Sequence, residues 1–272
     1  MSLEGVDEEK VKENLIGIER NEQMYLLSIA NMLTREDGKA NLQLKNFFDE
    51  DLKIPRNPTI GLMNPPYSQT DYREIEFIRK LLNKCAEGAW VAVITQTSSL
   101  SLSETEEKRK IFKKHTLKAV VQMPKELFQP NAGVFTSIAL FQSKTGGQKK
   151  TDKVYFYNLI NDGHKMTNKF RKDKNKKWLG IKTELLDDLM ELKKDDKKKS
   201  WIEKRAFVVS EVSAEDEWTF YYWREKFQKL RKEQEKEEND EEKKETSFVC
   251  LSPEETVSFE EKINESISEF LL

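Results

Sequence analysis

Cysteine and histidine are scarce in this chain of 272 residues, with two of each. Cys85 and Cys250 stand far apart and form no metal or redox motif. A disulfide scaffold is therefore excluded, no metal site is expected, and a reduced, cytoplasmic setting fits best. His115 and His164 have no partner pattern and read as structural or surface residues. Long apolar runs are also missing, so nothing in the sequence reads as a membrane span. The opening Met1-Ser2-Leu3-Glu4 lacks the basic-then-apolar order of a signal peptide. Glycine is thin where a nucleotide site would want it: Met1 to Asn14 holds only Gly5, and no glycine-rich loop precedes the first apolar run. An excess of one charge is absent too, with 47 Lys and Arg against 49 Asp and Glu. That balance does not exclude a nucleic-acid partner, because local patches matter more than the sum.

What is present is enough for a sizeable core. Hydrophobic residues make up 37% and charged residues 35%, so part of the chain must be solvated or extended. Residues 15–142 alternate between apolar runs and helical patterns. Leu15 to Glu19, Asn41 to Phe47, Thr59 to Met63, Ala89 to Ile94, Leu117 to Met123 and Val134 to Phe141 read as strands. Asn21 to Leu33 reads as a helix with Met24, Leu27, Ala30 and Leu33 on one side. Tyr72 to Cys85 is a second helix, with Ile75, Ile78, Leu81 and Leu82 at core spacing. Glu104 to His115 is a third, strongly charged one. Strands separated by helices predict an α/β fold with a mostly parallel, doubly wound, Rossmann-like sheet. The last two strands have no room for a helix between them, which predicts an antiparallel hairpin, placed at one edge.

From Thr145 the character changes. Val154 to Ile160 reads as one more strand. Residues 165–177 hold seven Lys or Arg and one Asp, and read as a solvated loop or a phosphate contact. Lys182 to Lys194 is a candidate helix. Residues 224–245 are nearly all charged, and Glu254 to Leu272 carries one apolar helical face. The expected domains are a partial catalytic domain over 1–145, a basic irregular extension over 146–223, and a charged helical tail over 224–272.

The tetrapeptide Asn64-Pro65-Pro66-Tyr67 carries the chemistry. Two prolines cannot continue a strand, because each lacks a ladder N–H and fixes its φ. The four residues therefore read as a rigid turn at the carboxyl end of a buried strand, the edge where open α/β sheets bind ligands. A polar amide and an aromatic ring held there suit a planar, amino-bearing base. The exocyclic nitrogen of adenine is a poor nucleophile because its lone pair is delocalised into the ring. The Asn64 side-chain carbonyl and the Pro65 backbone carbonyl can each accept one of its N–H bonds and aim the lone pair at an electrophile. Tyr67 can stack on the ring. A base treated this way must first leave the duplex. The bland alternative, a proline-stiffened loop, is weakened by its place after an apolar strand.

Three further segments join this tetrapeptide. The first is Leu15-Ile16-Gly17-Ile18-Glu19-Arg20-Asn21-Glu22-Gln23-Met24-Tyr25, continuing to Asp37-Gly38-Lys39. The second is Ala92-Val93-Ile94-Thr95-Gln96. The third runs from Leu117 through Met123-Pro124-Lys125-Glu126-Leu127-Phe128 and Gly133-Val134-Phe135 to Phe141. In this order and spacing, over roughly residues 5–165, the chain resembles the modification (M) subunit of type I restriction-modification systems, an adenine-N6 DNA methyltransferase. The resemblance implies S-adenosyl-L-methionine as methyl donor. It implies DNA, a specificity (S) subunit and a restriction (R) subunit as partners, with no membrane. It assigns Glu19 to the cofactor ribose and Asn46, where the family has an aspartate, to the cofactor adenine. Phe128 would help grip the extruded base beside Tyr67.

The family's sheet begins with a further strand and a glycine-containing loop, which this chain lacks before Leu15. A carboxyl-terminal fragment of an M subunit is the expectation, inactive alone and binding the cofactor weakly or not at all. The missing strand lies centrally in the family, so the strands at 15–19 and 59–63 would pair directly or accept another segment between them. Two other classes stay open. One is a non-catalytic remnant or scaffold that binds the specificity subunit. The other is an N-methyltransferase acting on protein glutamine or RNA.

Overall fold

The structure is a computed structural model that describes residues 8–34, 41–52, 54, 57–67, 71–129, 133–167, 170–173, 176–183, 207–226 and 228–229. The chain divides into two units, at Asn57 and Pro58. Most of the candidate helix at 182–194 and of the charged tail at 224–272 lies outside the described residues, as does Cys250.

The first unit holds α1 (Glu8–Asn14), β1 (Ile16–Glu19), α2 (Glu22–Thr34) and β2 (Asn41–Leu44). β1 and β2 pair in parallel, from Ile16 opposite Asn41 to Glu19 opposite Leu44. Gly17 permits that closeness, since a Cβ there would stand 2.3 Å from Leu42 Cδ2. α2 starts where Asn21 caps it, its Oδ1 accepting the Met24 N–H at 3.0 Å. The expected apolar face of α2 does not become core here: Met24, Leu27 and Leu33 are exposed.

The second unit carries the main sheet. In chain order it contains β3 (Ile60–Met63), α3 (Glu74–Lys84), β4 (Trp90–Gln96), α4 (Thr105–Phe112), β5 (Thr116–Gln122), β6 (Thr136–Gln142), β7 (Lys153–Asn158), β8 (Lys165–Met166), β9 (Arg171–Lys172) and β10 (Phe207–Glu211). Six strands lie in the order β10-β7-β5-β6-β4-β3. β3, β4, β5 and β7 run one way, while β6 and β10 oppose them. β5 and β6 pair antiparallel as the sequence predicts, but inside the sheet rather than at its edge. β6 takes hydrogen bonds from β5 on one side and β4 on the other. The residues account for this: Ala139 and Phe141 of β6 are fully buried, which suits a central strand flanked on both sides. The sheet also takes β7 and β10 from beyond residue 145.

α3 packs as its spacing predicts, with Ile75, Ile78, Leu81 and Leu82 all buried. Gly61 lets it approach β3, because a Cβ at that position would stand 3.1 Å from Cys85 Sγ. α3 and α4 are joined by Arg79, which donates to the buried Glu107 at 2.6 Å. Residues 207–226 return across the sheet. Trp218 is fully buried and stacks on Phe112 at 4.4 Å, while Trp223 stacks on Phe156 at 5.7 Å.

β1 belongs to the two-stranded sheet and β3 to the six-stranded one. β3 is an edge strand, and its Ile60 and Leu62 are exposed. Among the described residues no segment pairs with its outer edge.

Candidate active site

β3 and β4 are parallel, with Met63 opposite Val93, so the residue after Met63 emerges at the carboxyl rim of the sheet. Asn64 follows there and is exposed, Pro65 is buried, Pro66 is exposed and Tyr67 is half-buried. Tyr67 meets Phe128, from the loop after β5, edge to face with ring centroids 5.9 Å apart. Two residues distant in sequence, both expected to contact a base, are thus brought together.

The Tyr67 hydroxyl is buried and finds no hydrogen-bond partner among the described residues. Burial, and secondarily the Glu74 carboxylate, push its pKa up to about 12. Glu74 opens α3 and is buried. Its Oε2 accepts from the Thr95 hydroxyl and, at 2.8 Å, from the Gln96 N–H. The carboxylate therefore ties the start of α3 to the end of β4, beside the tetrapeptide.

Farther along the same rim lies an open cleft of about 700 Å³, lined by Gln96, Thr97, Ser98, Gln122, Gly133, Val134, Phe135 and Tyr221. Its floor is a polar network. The Thr97 and Ser137 hydroxyls lie 2.9 Å apart, both donate to Gln122 Oε1 at 3.3 Å, and Gln122 Nε2 donates to the Thr136 carbonyl at 2.8 Å. Glu74, Thr97, Gln122 and Ser137 are absent from the sequence-derived site. Glu74 left one signal, a carboxylate one turn before Ile78 on the apolar stripe of α3. The others left none, because the network joins β5, β6 and the turn after β4, which are far apart in sequence.

Glu19 and Asn46 belong to the first unit. Glu19 ends β1 and Asn46 follows β2, and the Lys45 N–H donates to the Glu19 carbonyl at 3.1 Å. Glu19 Oε1 accepts the Asn21 N–H at 2.7 Å, which leaves Oε2 available for a diol. Asn46 Oδ1 accepts the Phe48 N–H at 3.0 Å, and its amide NH₂ has no partner among the described residues. The donor set thus fits a ribose and an adenine edge.

The histidines are occupied elsewhere. His115 Nδ1 accepts the Lys144 N–H at 3.0 Å, and Nε2 faces Asn83 Oδ1 at 3.3 Å. Burial, with nearby Lys114 and Lys144, lowers its pKa to about 4. His164 Nδ1 lies 3.4 Å from Asp162 Oδ2. Cys85 is buried, which raises its thiol pKa to about 11. No group of His, Cys, Asp and Glu among the described residues could hold a metal ion.

The profile of a family described as N-6 DNA Methylase matches residues 2–217. The chain belongs to this family. Its sequence is 33% identical over 167 residues to the type II restriction enzyme and methyltransferase RM.BcgI of Heyndrickxia coagulans. That match takes 57% of this chain and 26% of the relative, so the chain spans about a quarter of that relative's length. Two solved structures share the fold. One comes from a study of complex assembly and conformational transition in a type I restriction-modification system. It has a TM-score of 0.55 and 15% identity, over 94% of this chain and 52% of that one. The other is the methyltransferase subunit of a type I system from Streptococcus thermophilus. It has a TM-score of 0.51 and 18% identity, over 62% of this chain and 41% of that one. At these identities the likeness is one of fold, the Rossmann-like α/β fold of a methyltransferase. Among the described residues no helix is long and apolar enough to cross a membrane.

Proposed function

We propose that this chain is part of a DNA adenine-N6 methyltransferase of a type I restriction-modification system. The observation that carries the reading is the meeting of Tyr67 and Phe128 beside Asn64 at the carboxyl rim of β3. Asn64 Oδ1 and the Pro65 carbonyl accept the two N–H bonds of the target amine. Pro66 holds the Pro65 peptide still, so the acceptors are preorganised before the base arrives. Tyr67 and Phe128 present aromatic surface to the extruded base. Glu74 fixes the end of β4 behind them. S-adenosyl-L-methionine, when bound, supplies a methyl group already activated by its sulfonium. Glu19 Oε2 would take its ribose hydroxyls and Asn46 its adenine.

Cofactor binding by this chain alone is weak in this reading. Glu19 and Asn46 extend from a two-stranded sheet in which no residue of β1 or β2 is buried, and such a pair holds a site poorly. Micromolar binding of S-adenosyl-L-methionine to the purified chain, measured by calorimetry, would contradict this. The partners proposed are DNA, a specificity subunit that chooses the sequence, and a restriction subunit. The charged tail at 224–272 is the proposed docking arm.

The test is methylation of DNA by the chain with its specificity subunit and S-adenosyl-L-methionine, read as N6-methyladenine by mass spectrometry. Asn64→Ala lowers the rate by about 100-fold or more, the usual loss when one preorganised polar contact to the reacting group is removed. Activity that survives Asn64→Ala refutes the catalytic assignment. A wild-type chain that binds the specificity subunit and never methylates is instead a scaffold. Transfer to glutamine or RNA in place of DNA would move the substrate class.

A further inference from the structure

The basic run at 165–177 is not a free loop. Among the described residues it forms the hairpin β8–β9, whose turn is closed by the Thr167 N–H donating to the Phe170 carbonyl at 3.0 Å. The hairpin is fastened from below. Arg171 is nearly buried, and its guanidinium donates to both oxygens of the buried Asp162, at 2.7 and 3.1 Å. The same guanidinium reaches the Leu127 carbonyl at 3.4 Å. Leu127 precedes Phe128, so one side chain joins the hairpin to the loop that carries the proposed base-gripping ring.

The outer face carries an unfavourable arrangement. Lys165 and Lys172 are directly opposite in the register, and both are exposed. Like charges facing each other across a two-strand ladder oppose its formation. Among the described residues neither has a carboxylate partner. Asp162 is held by Arg171, and Asp173 accepts the Lys177 and Trp178 N–H groups at the start of the helical turn over 177–183. Lys172 extends over the exposed Phe170 ring, 4.6 Å from its centroid. Lys176 and Lys177 follow on the surface. A local conflict that folding does not relieve is the mark of a functional site.

We propose that the β8–β9 hairpin is a phosphate clamp for duplex DNA, with Lys165 and Lys172 straddling the backbone next to the extruded base. The proposal rests on the assignment of DNA as substrate. Arg171 is a positioning residue that sets the distance between the clamp and Phe128. A polyanion between the two lysines converts their repulsion into attraction, and duplex DNA is the polyanion that a base-gripping loop must bring within reach.

The test is binding of the full chain to a fluorescently labelled duplex, by anisotropy, between about 50 and 200 mM salt. Lys165→Gln/Lys172→Gln is compared with Lys149→Gln/Lys150→Gln, which removes the same charge from the exposed turn before β7. Melting curves check that both variants fold. Removing one lysine–phosphate interaction reduces the slope of log K against log salt by about 1, so the slope falls by about 2 in the hairpin variant and stays unchanged in the control. An unchanged slope in the hairpin variant, or an equal fall in the control, overturns the clamp and leaves DNA standing as the substrate. Failure of the wild-type chain to bind duplex DNA overturns both.

Discussion

Tyr67 and Phe128 touch edge to face, with ring centroids 5.9 Å apart and planes at 80°. A base held between two rings needs them parallel and about 7 Å apart, two van der Waals layers. The rings therefore occupy each other until a base separates them, and the loop after β5 is the part that must yield. Tyr67→Ala or Phe128→Ala removes a stacking surface worth about 1–3 kcal/mol, a loss of roughly 5- to 150-fold in methylation. Tyr67→Phe retains most of the rate, because the hydroxyl has no partner among the described residues. It also leaves stability unchanged or raised, since an unsatisfied buried hydroxyl is removed. Steady-state methylation and urea unfolding of the three variants check both parts.

Glu74 is a second point of control. Its carboxylate accepts from Thr95 and Gln96 at the end of β4. Glu74→Ala leaves both donors without that acceptor and costs about 2–3 kcal/mol. Glu74→Gln keeps one acceptor oxygen and costs less. The order wild type, Gln, Ala in melting temperature is the expected result. Equal melting temperatures would show the contact to be idle.

His115 makes stability depend on pH. Its folded pKa is lowered to about 4, below the unfolded value of about 6.5. Between these limits the unfolded chain binds more protons, so stability rises with pH across that window and levels off above it. The contribution is about 3 kcal/mol at most. His115→Gln, which cannot take a proton, flattens the difference between unfolding midpoints at pH 4.5 and 7 relative to the wild type. An identical pH profile in the two proteins would refute the assignment.

Trp218 decides whether residues 207–226 are part of the sheet domain. The side chain is fully buried on Phe112, its indole N–H donates to the Ser213 carbonyl at 3.0 Å, and Lys108 packs over its ring. Trp218→Ala removes about 3–5 kcal/mol. That corresponds to a fall of about 10 °C or more in melting temperature for a domain of this size. A fall of a degree or two would mark the segment as a loosely held appendage.

The elements of the second unit were largely legible. Ile75, Ile78, Leu81 and Leu82 announce α3 by their spacing, and all four are buried as predicted. Asn64-Pro65-Pro66-Tyr67 announces a turn because the prolines admit little else. Pairing partners were less legible. The sequence marks the hairpin of β5 and β6 as antiparallel, but not that β6 inserts between β5 and β4. Lateral order depends on contacts between strands far apart in the chain. The run at 165–177 reads by composition as solvated, whereas Arg171 is nearly buried. Its partner Asp162 precedes the run, so no pattern within the run could reveal it. The face of α2 shows the opposite error, since Met24, Leu27 and Leu33 carry a core pattern and are exposed in this chain.

The sequence by itself determined which local shapes are possible and which residue types reach the carboxyl rim. Proline geometry, apolar periodicity and the order of segments are local properties, and they suffice to name an α/β fold. Only the tertiary structure decided that Tyr67 meets Phe128, that Glu74 holds β4, and that Lys165 faces Lys172 above a nearly buried Arg171. Each of these depends on the register and crossing of strands. Register is set by the summed packing of the whole sheet rather than by any one stretch of chain.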